Sequence, residues 1–214
     1  MVLTEIANTR EPLKLITLEY SIEEHGHFVA EPIIEMFCRD TSGERRLIEV
    51  EGFYPYFYVT EREFQRHQMD LLQESMVRTI ELDKRLTTKE MRMNGSITAV
   101  NGPPKHTLQD EPLVKIETIK PSQVAKLRDV FDETWEADVF FVNRFLVDTG
   151  ITWGLTVPLG ESRIHIDDIE VLDDEDAPDI APRIHTVDIE VWSGGAFPDP
   201  EEAIKPITAI TAHD

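Results

Sequence analysis

The chain has 214 residues, 41% of them hydrophobic, with 42 Asp and Glu against 21 Lys and Arg and a formal net charge of −21. Its length allows one large domain or two small ones, and its apolar content argues against an intrinsically disordered acidic protein. No apolar run is long enough to span a membrane and Met1–Arg10 shows no secretory signal, so a cytoplasmic protein is expected.

Cys38 is the only cysteine, which rules out an internal disulfide and a Cys-based zinc site. In an apolar strand it reads as an inert core thiol. The acid surplus fits a folded protein with an acid-rich surface that works in high salt. At about 1 M salt the Debye length falls to roughly 3 Å, so repulsion between surface carboxylates is largely screened. A halophilic source is therefore expected, and the acidity does not exclude nucleic-acid binding.

In chain order, Leu13–Tyr20 and Phe28–Cys38 read as strands with Glu24–His27 as the turn between them. Arg46–Val50 and Tyr54–Val59 are two more strands, the latter placed at an edge or start by Pro55. Thr60 is an N-cap with Glu63 completing a capping box, and its helix runs to about Met76. Asn94–Pro112 is loop-like. Leu113–Ile119 alternates as a strand. A helix starts at Ser122 and carries Val124, Leu127, Val130, Phe131 and Trp135. Val139–Val142 is a short apolar run, Asn143–Asp148 a turn of helix before Gly150, and Ile151–Val157 a strand.

Asp173–Asp176 is a run of like charges between Ile169 and Pro182, expected to repel and stay extended. It predicts a first domain over 1–172, an acidic linker over 173–182 and a second domain over 183–214. The second has room for one hairpin, Arg183–Trp192 and Ile204–Ala212.

On the first of those strands, Asp188 and Glu190 point one way while Val187, Ile189 and Val191 point the other. Two neighbouring carboxylates repel each other and are relieved by a divalent cation, which suggests a hard-metal site. A solvated strand face is the plainer alternative. The same Asp-Ile-Glu occurs at Asp168–Glu170, but there it runs into the acidic segment, so the second copy is preferred as the metal pair. The seven histidines show no ligand spacing, and the three tryptophans read as packing residues.

Taken together, Pro55–Val59, Asn143–Ile151, Asp188–Glu190, Gly195–Pro198 and Pro206–Ile210 resemble, in order and spacing, the N-terminal part of an archaeal family B DNA polymerase. With the acidity, a haloarchaeal member is expected. The resemblance implies an α+β chain: a β-rich N-terminal domain with a few helices, then the first strands of an RNase H-like 3′–5′ proofreading exonuclease. It implies that Asp188 and Glu190 are catalytic metal ligands for Mg²⁺ or Mn²⁺ in a two-metal site. The remaining carboxylates would lie beyond Asp214, so the chain alone is expected to be an inactive fragment.

The implied partners are template DNA and a primer 3′ end, with a sliding clamp contacted through a C-terminal part outside Met1–Asp214. The resemblance also implies a template-base pocket for deaminated bases, formed by Tyr20, Pro55, Tyr56 and Leu113. The alternative for these four is plain core packing. Two other functions compete with the polymerase reading. One is a split or truncated nucleic-acid-binding subunit with no catalysis of its own. The other is an acidic DNA mimic, against which the apolar-backed pair counts.

Overall fold

The computed structural model describes residues 10–25, 29–73, 77–93, 98–100, 110–181, 185–192 and 207–213. In chain order the elements are β1 (Arg10–His25), β2 (Val29–Asp40), β3 (Arg45–Glu51), β4 (Tyr56–Thr60), α1 (Glu61–Gln73), β5 (Val77–Thr87) and α2 (Thr88–Met93). Then come β6 (Thr98–Val100), β7 (Pro112–Thr118), α3 (Pro121–Arg128), β8 (Glu133–Trp135), α4 (Phe141–Thr149) and β9 (Gly154–Pro158). The last are β10 (Arg163–His165), a 3-10 turn (Ile166–Asp168), β11 (Glu170–Val171), β12 (Thr186–Val191) and β13 (Ile207–His213). The fold is α+β and strand-rich. It divides into two units, Met1–Pro178 and Asp179–Asp214.

In the first unit, Leu13 and Leu15, then Ile34, Met36 and Cys38, then Ile48 and Val50 recur at every second residue. Period-2 spacing puts each series on one sheet face. They line a core under a six-stranded sheet of order β10-β3-β2-β1-β9-β11. Helix α4 contributes Phe141 and Phe145, and Phe53 stacks 5.3 Å from the first and meets the second edge-on at 5.3 Å. A five-stranded sheet of order β5-β7-β4-β8-β6 builds a second core. There Phe57, Val59, Val114 and Ile116 meet Leu71 of α1 and Val124 and Leu127 of α3. Each such side chain contributes roughly 1.5–3 kcal/mol on full burial. In the second unit, β12 and β13 form an antiparallel hairpin.

Cys38 lies in the first core, and burial pushes its thiol up to about 12, with Arg46 pulling down and Glu11 pushing up. The thiolate is the reactive form. A thiol reagent at pH 8 is therefore expected to leave the folded chain unlabelled and to label Cys38 fully in denaturant. Rapid labelling of the folded chain would contradict this placement.

Several elements differ from the sequence expectation. Nothing in the pattern predicts β5 and α2, because β5 carries register shifts at Val77/Thr79 and Asp83/Thr87 that break its alternation. The helix from Ser122 ends at Arg128 instead of running to Trp135. Val130 and Phe131 N–H groups turn back to Leu127 and Arg128 carbonyls at 3.0 and 3.1 Å, and Trp135 belongs to β8. Leu127 and Phe131 are both buried, so the apolar spacing outlasts the helix.

Thr60 Oγ1 does accept from the Glu63 N–H at 3.2 Å. The Glu63 carboxylate, however, accepts from Arg66 at 2.7 Å and from the Asp132 N–H at 3.0 Å, so it ties α1 to a distant loop. Glu24 and His25 belong to β1. Gly26, His27, the expected helix end at Met76, and most of the Asn94–Pro112 loop lie outside the described residues.

The acidic segment is also different. The Leu172 N–H donates to the Gly154 carbonyl at 3.0 Å, and the Asp176 N–H to the Asp173 carbonyl at 2.9 Å. Thr152 Oγ1 donates to Asp174 at 2.7 Å. A Cβ built on Gly154 would come 2.6 Å from the Ala177 Cβ. Residues 173–177 thus form a turn packed on β9 rather than an extended linker. Repulsion among exposed carboxylates is weak against hydrogen bonds and close backbone approach.

Candidate functional site

The carboxylate pair sits on β12, where Asp188 is opposite Thr211 and Glu190 opposite Ala209 on β13. Strand geometry puts both on one face. The described hairpin is open: Val187 is 58% exposed, Ile189 53% and Ile210 61%. Among the described residues, no group of three or more His, Cys, Asp or Glu side chains could hold a metal. Two carboxylates suit part of a hard-cation site, but Mg²⁺ demands a near-octahedral oxygen set that they do not complete. Gly195–Pro198 lies outside the described residues.

The other Asp-Ile-Glu is built differently. Asp168 ends the 3-10 turn, and its carboxylate accepts from the His165 N–H at 3.2 Å. Glu170 opens β11 and pairs with Arg10 at 3.1 Å. The turn breaks any shared strand face.

A cavity of about 690 Å³ opens in the first unit. Its walls are Tyr20 of β1, Pro55 and Tyr56 at the start of β4, Pro121, Ser122 and Arg128 of α3, and residues 137–144 leading into α4. Pro121 and Ser122 are there because Pro at the first helical position anchors the start of α3. Tyr20 meets Phe141 edge-on at 5.4 Å. Phe140, which precedes α4, is 76% exposed at the cavity wall.

Three of the four residues expected in a base pocket thus share one cavity. Leu113 does not. On β7 it pairs with Thr60 of β4, whereas Tyr56 pairs with Glu117 at the other end of the same ladder. Leu113 is fully buried with Met91 and Trp135. Its place is core packing, because the sheet carries it past Tyr58 and away from the opening.

Tyr56 anchors a polar network. Its hydroxyl donates to Asp148 Oδ2 at 2.6 Å. Lys115 lies over its ring at 4.1 Å and the Arg144 guanidinium at 4.7 Å. Arg144 pairs in turn with Glu136 and stands 3.9 Å from Asp148. Three cations stand at or beside the cavity, each paired with an acid: Lys115 with Glu117 beside Tyr56, and in the wall Arg128 with Asp138 and Arg144 with Glu136. Sequence reasoning missed Arg144 and Asp148 as site residues. The signal was their i,i+4 spacing in a helix closed by Gly150, whose φ of 72° makes the left-handed cap and whose N–H donates to the Leu146 carbonyl at 2.9 Å.

Burial pushes the Tyr56 hydroxyl well above the ordinary tyrosine range, and its bond to Asp148 adds to this. Burial likewise raises Asp148, against the lowering effects of the Tyr56 hydrogen bond and Arg144. With its folded value raised, the Asp148 contribution to stability is fully present below the ordinary aspartate range. It is lost as pH rises through the raised value. In Tyr56→Phe the lowering bond is gone, so the Asp148 titration midpoint followed by NMR is expected to move further up. A midpoint that stays or falls would contradict the bond.

No family profile matches the chain. It is 29% identical over 217 residues to the DNA polymerase delta catalytic subunit of Dictyostelium discoideum, a match covering 80% of this chain and 19% of that protein. Its fold is similar to that of the family B DNA polymerase of the hyperthermophilic archaeon Pyrobaculum calidifontis, with a TM-score of 0.55 and 19% identity. That likeness covers 93% of this chain and 25% of the archaeal one. The chain therefore spans a fifth to a quarter of the length of these relatives. In sequence it is thus similar to a DNA polymerase delta catalytic subunit, and in fold to part of a family B DNA polymerase.

Proposed function

We propose that this chain is the N-terminal, template-contacting part of a DNA-directed DNA polymerase of family B, and that its cavity receives a deaminated template base. The observation that carries the reading is the convergence of Tyr20, Pro55 and Tyr56 on one cavity beside a cluster of cations. Flat aromatic walls suit a base, and stacking on such side chains contributes roughly 1–3 kcal/mol per base. Nearby Lys and Arg suit the phosphates around it.

In the parent enzyme, Asp188 and Glu190 would be two ligands of a proofreading exonuclease site that binds Mg²⁺ or Mn²⁺. Support comes from their shared strand face and the homology; the other ligands would come from the rest of that enzyme. The bound metal would activate water and stabilise the leaving 3′ oxygen. A sliding clamp, a halophilic source and an intracellular setting complete the proposal. Among the described residues, no helix is long and apolar enough to cross a membrane.

The test is binding of a labelled single-stranded oligonucleotide with one deoxyuridine against its thymidine twin, in about 1 M KCl. The deoxyuridine strand is expected to bind about tenfold more tightly, the scale on which one methyl is discriminated. Tyr56→Ala is expected to erase the difference. Equal affinities for the parent chain would refute the pocket reading. A second reading is a split or truncated nucleic-acid-binding subunit with no catalysis of its own. Both readings expect no 3′–5′ degradation by this chain in Mg²⁺ or Mn²⁺.

A further inference from the structure

Glu136 has φ 58°, the only positive φ of a non-glycine among the described residues. A Cβ makes that conformation uncommon, and it persists only where the surroundings hold it. Here the holder is Arg144. Its guanidinium donates to the Glu136 carboxylate, and through Nη2 at 3.2 Å to the Glu136 carbonyl. One planar fork thus grips both the side chain and the backbone of a strained residue. An ordinary ion pair lies exposed and contributes little. Arg144 is only 5% exposed.

The position of the grip matters. Glu136 directly precedes Ala137, Asp138, Val139 and Phe140, which line the cavity along with Arg144. The same guanidinium covers the Tyr56 ring, and Asp148 beside it takes the Tyr56 hydroxyl. One buried cation therefore connects two walls of the cavity.

We propose that Arg144 and Glu136 are positioning residues: their grip holds the left-handed turn that sets the 137–140 wall against Tyr56, and so sets how tightly the cavity fits a pyrimidine. This rests on the template-base reading. Uracil and thymine differ by one methyl group, and a cavity separates them only if its walls do not yield. A relaxed turn lets the wall move outward and admits the methyl.

The test uses Glu136→Gly, Glu136→Gln and Arg144→Lys in the 214-residue chain. Glycine accepts φ 58° without a Cβ penalty, so Glu136→Gly keeps the turn accessible while removing the carboxylate half of the grip and leaving only the carbonyl contact. Arg144 loses a buried partner, so the thermal midpoint is expected to fall, while the preference of the folded chain for deoxyuridine over thymidine in single-stranded DNA falls about tenfold. Glu136→Gln keeps an acceptor and is expected to fall less. Without DNA, amide exchange at residues 137–140 is expected to quicken in Glu136→Gly and Arg144→Lys. If the parent prefers deoxyuridine and Glu136→Gly keeps that preference, the proposal is overturned. If the parent has no preference, the template-base reading fails instead. Amide exchange then decides the grip alone: faster exchange at 137–140 supports it, and unchanged exchange overturns it.

Discussion

Phe57→Ala is expected to destabilise the first unit by roughly 3–5 kcal/mol, the range for emptying a large aromatic site in a close-packed core. Phe57 is fully buried on the central strand β4, with its ring 5.9 Å from Phe131 in an edge-on contact. Neighbours from α1, α3 and β7 close around it, so collapse into the space would require several elements to move at once. Phe57→Leu fills most of the volume and is expected to cost about 1.5 kcal/mol. Denaturant unfolding followed by tryptophan fluorescence separates the two, with the midpoint lowered and the slope kept. Because Pro55 and Tyr56 directly precede Phe57, the alanine variant should also loosen one cavity wall. A loss below about 1 kcal/mol would mean that this core is not packed as described.

Stability is also expected to rise steeply with salt, and the sheet shows where. Glu19 stands opposite Glu35 and Glu35 opposite Glu49, so three acids form a row across β1, β2 and β3. Glu23 faces Glu31 in the same sheet. Arg163 answers part of this charge, pairing with Glu23 at 2.8 Å and Glu51 at 3.1 Å. Like charges directly opposite destabilise a ladder by roughly 0.2–1 kcal/mol per pair. Glu35 belongs to two such pairs and is half-buried. Glu35→Gln is therefore expected to stabilise the chain by about 1 kcal/mol in dilute buffer. That gain should vanish near 1 M KCl, where screening reaches roughly 3 Å. Thermal midpoints of parent and variant across a KCl series measure the effect. A variant gain that is the same at low and high salt would show that packing, not charge, is responsible.

What the sequence revealed was the part governed by regular periods. Leu13–Tyr20 and Arg46–Val50 fall in the strands found, alternation in Leu113–Ile119 matches β7, and Thr60 does start α1. Bulges hid β5, because a register shift moves apolar residues off their expected beat. The acidic turn at 173–177 was hidden because charge was visible in the sequence and the contact of Gly154 with Ala177 was not.

For the candidate site, Tyr20, Pro55 and Tyr56 came from the resemblance rather than from chemistry, since aromatic residues and prolines on strands read equally as core. Leu113 shows the weakness of that route: it lies on the same ladder yet outside the cavity. Glu136 could not be found at all. A left-handed turn is signalled by Gly or Asn, and here a buried arginine substitutes for that signal.

The central claim is that the cavity beside Tyr56 takes a template base. Backbone and side-chain NMR of the chain, titrated with a short single-stranded oligonucleotide carrying one deoxyuridine, locates binding directly. Saturable shifts are expected at Tyr20, Tyr56 and Val139–Arg144, weaker with the thymidine twin, and absent from Leu113. Shifts confined to other surfaces, or identical for the two oligonucleotides, would contradict it.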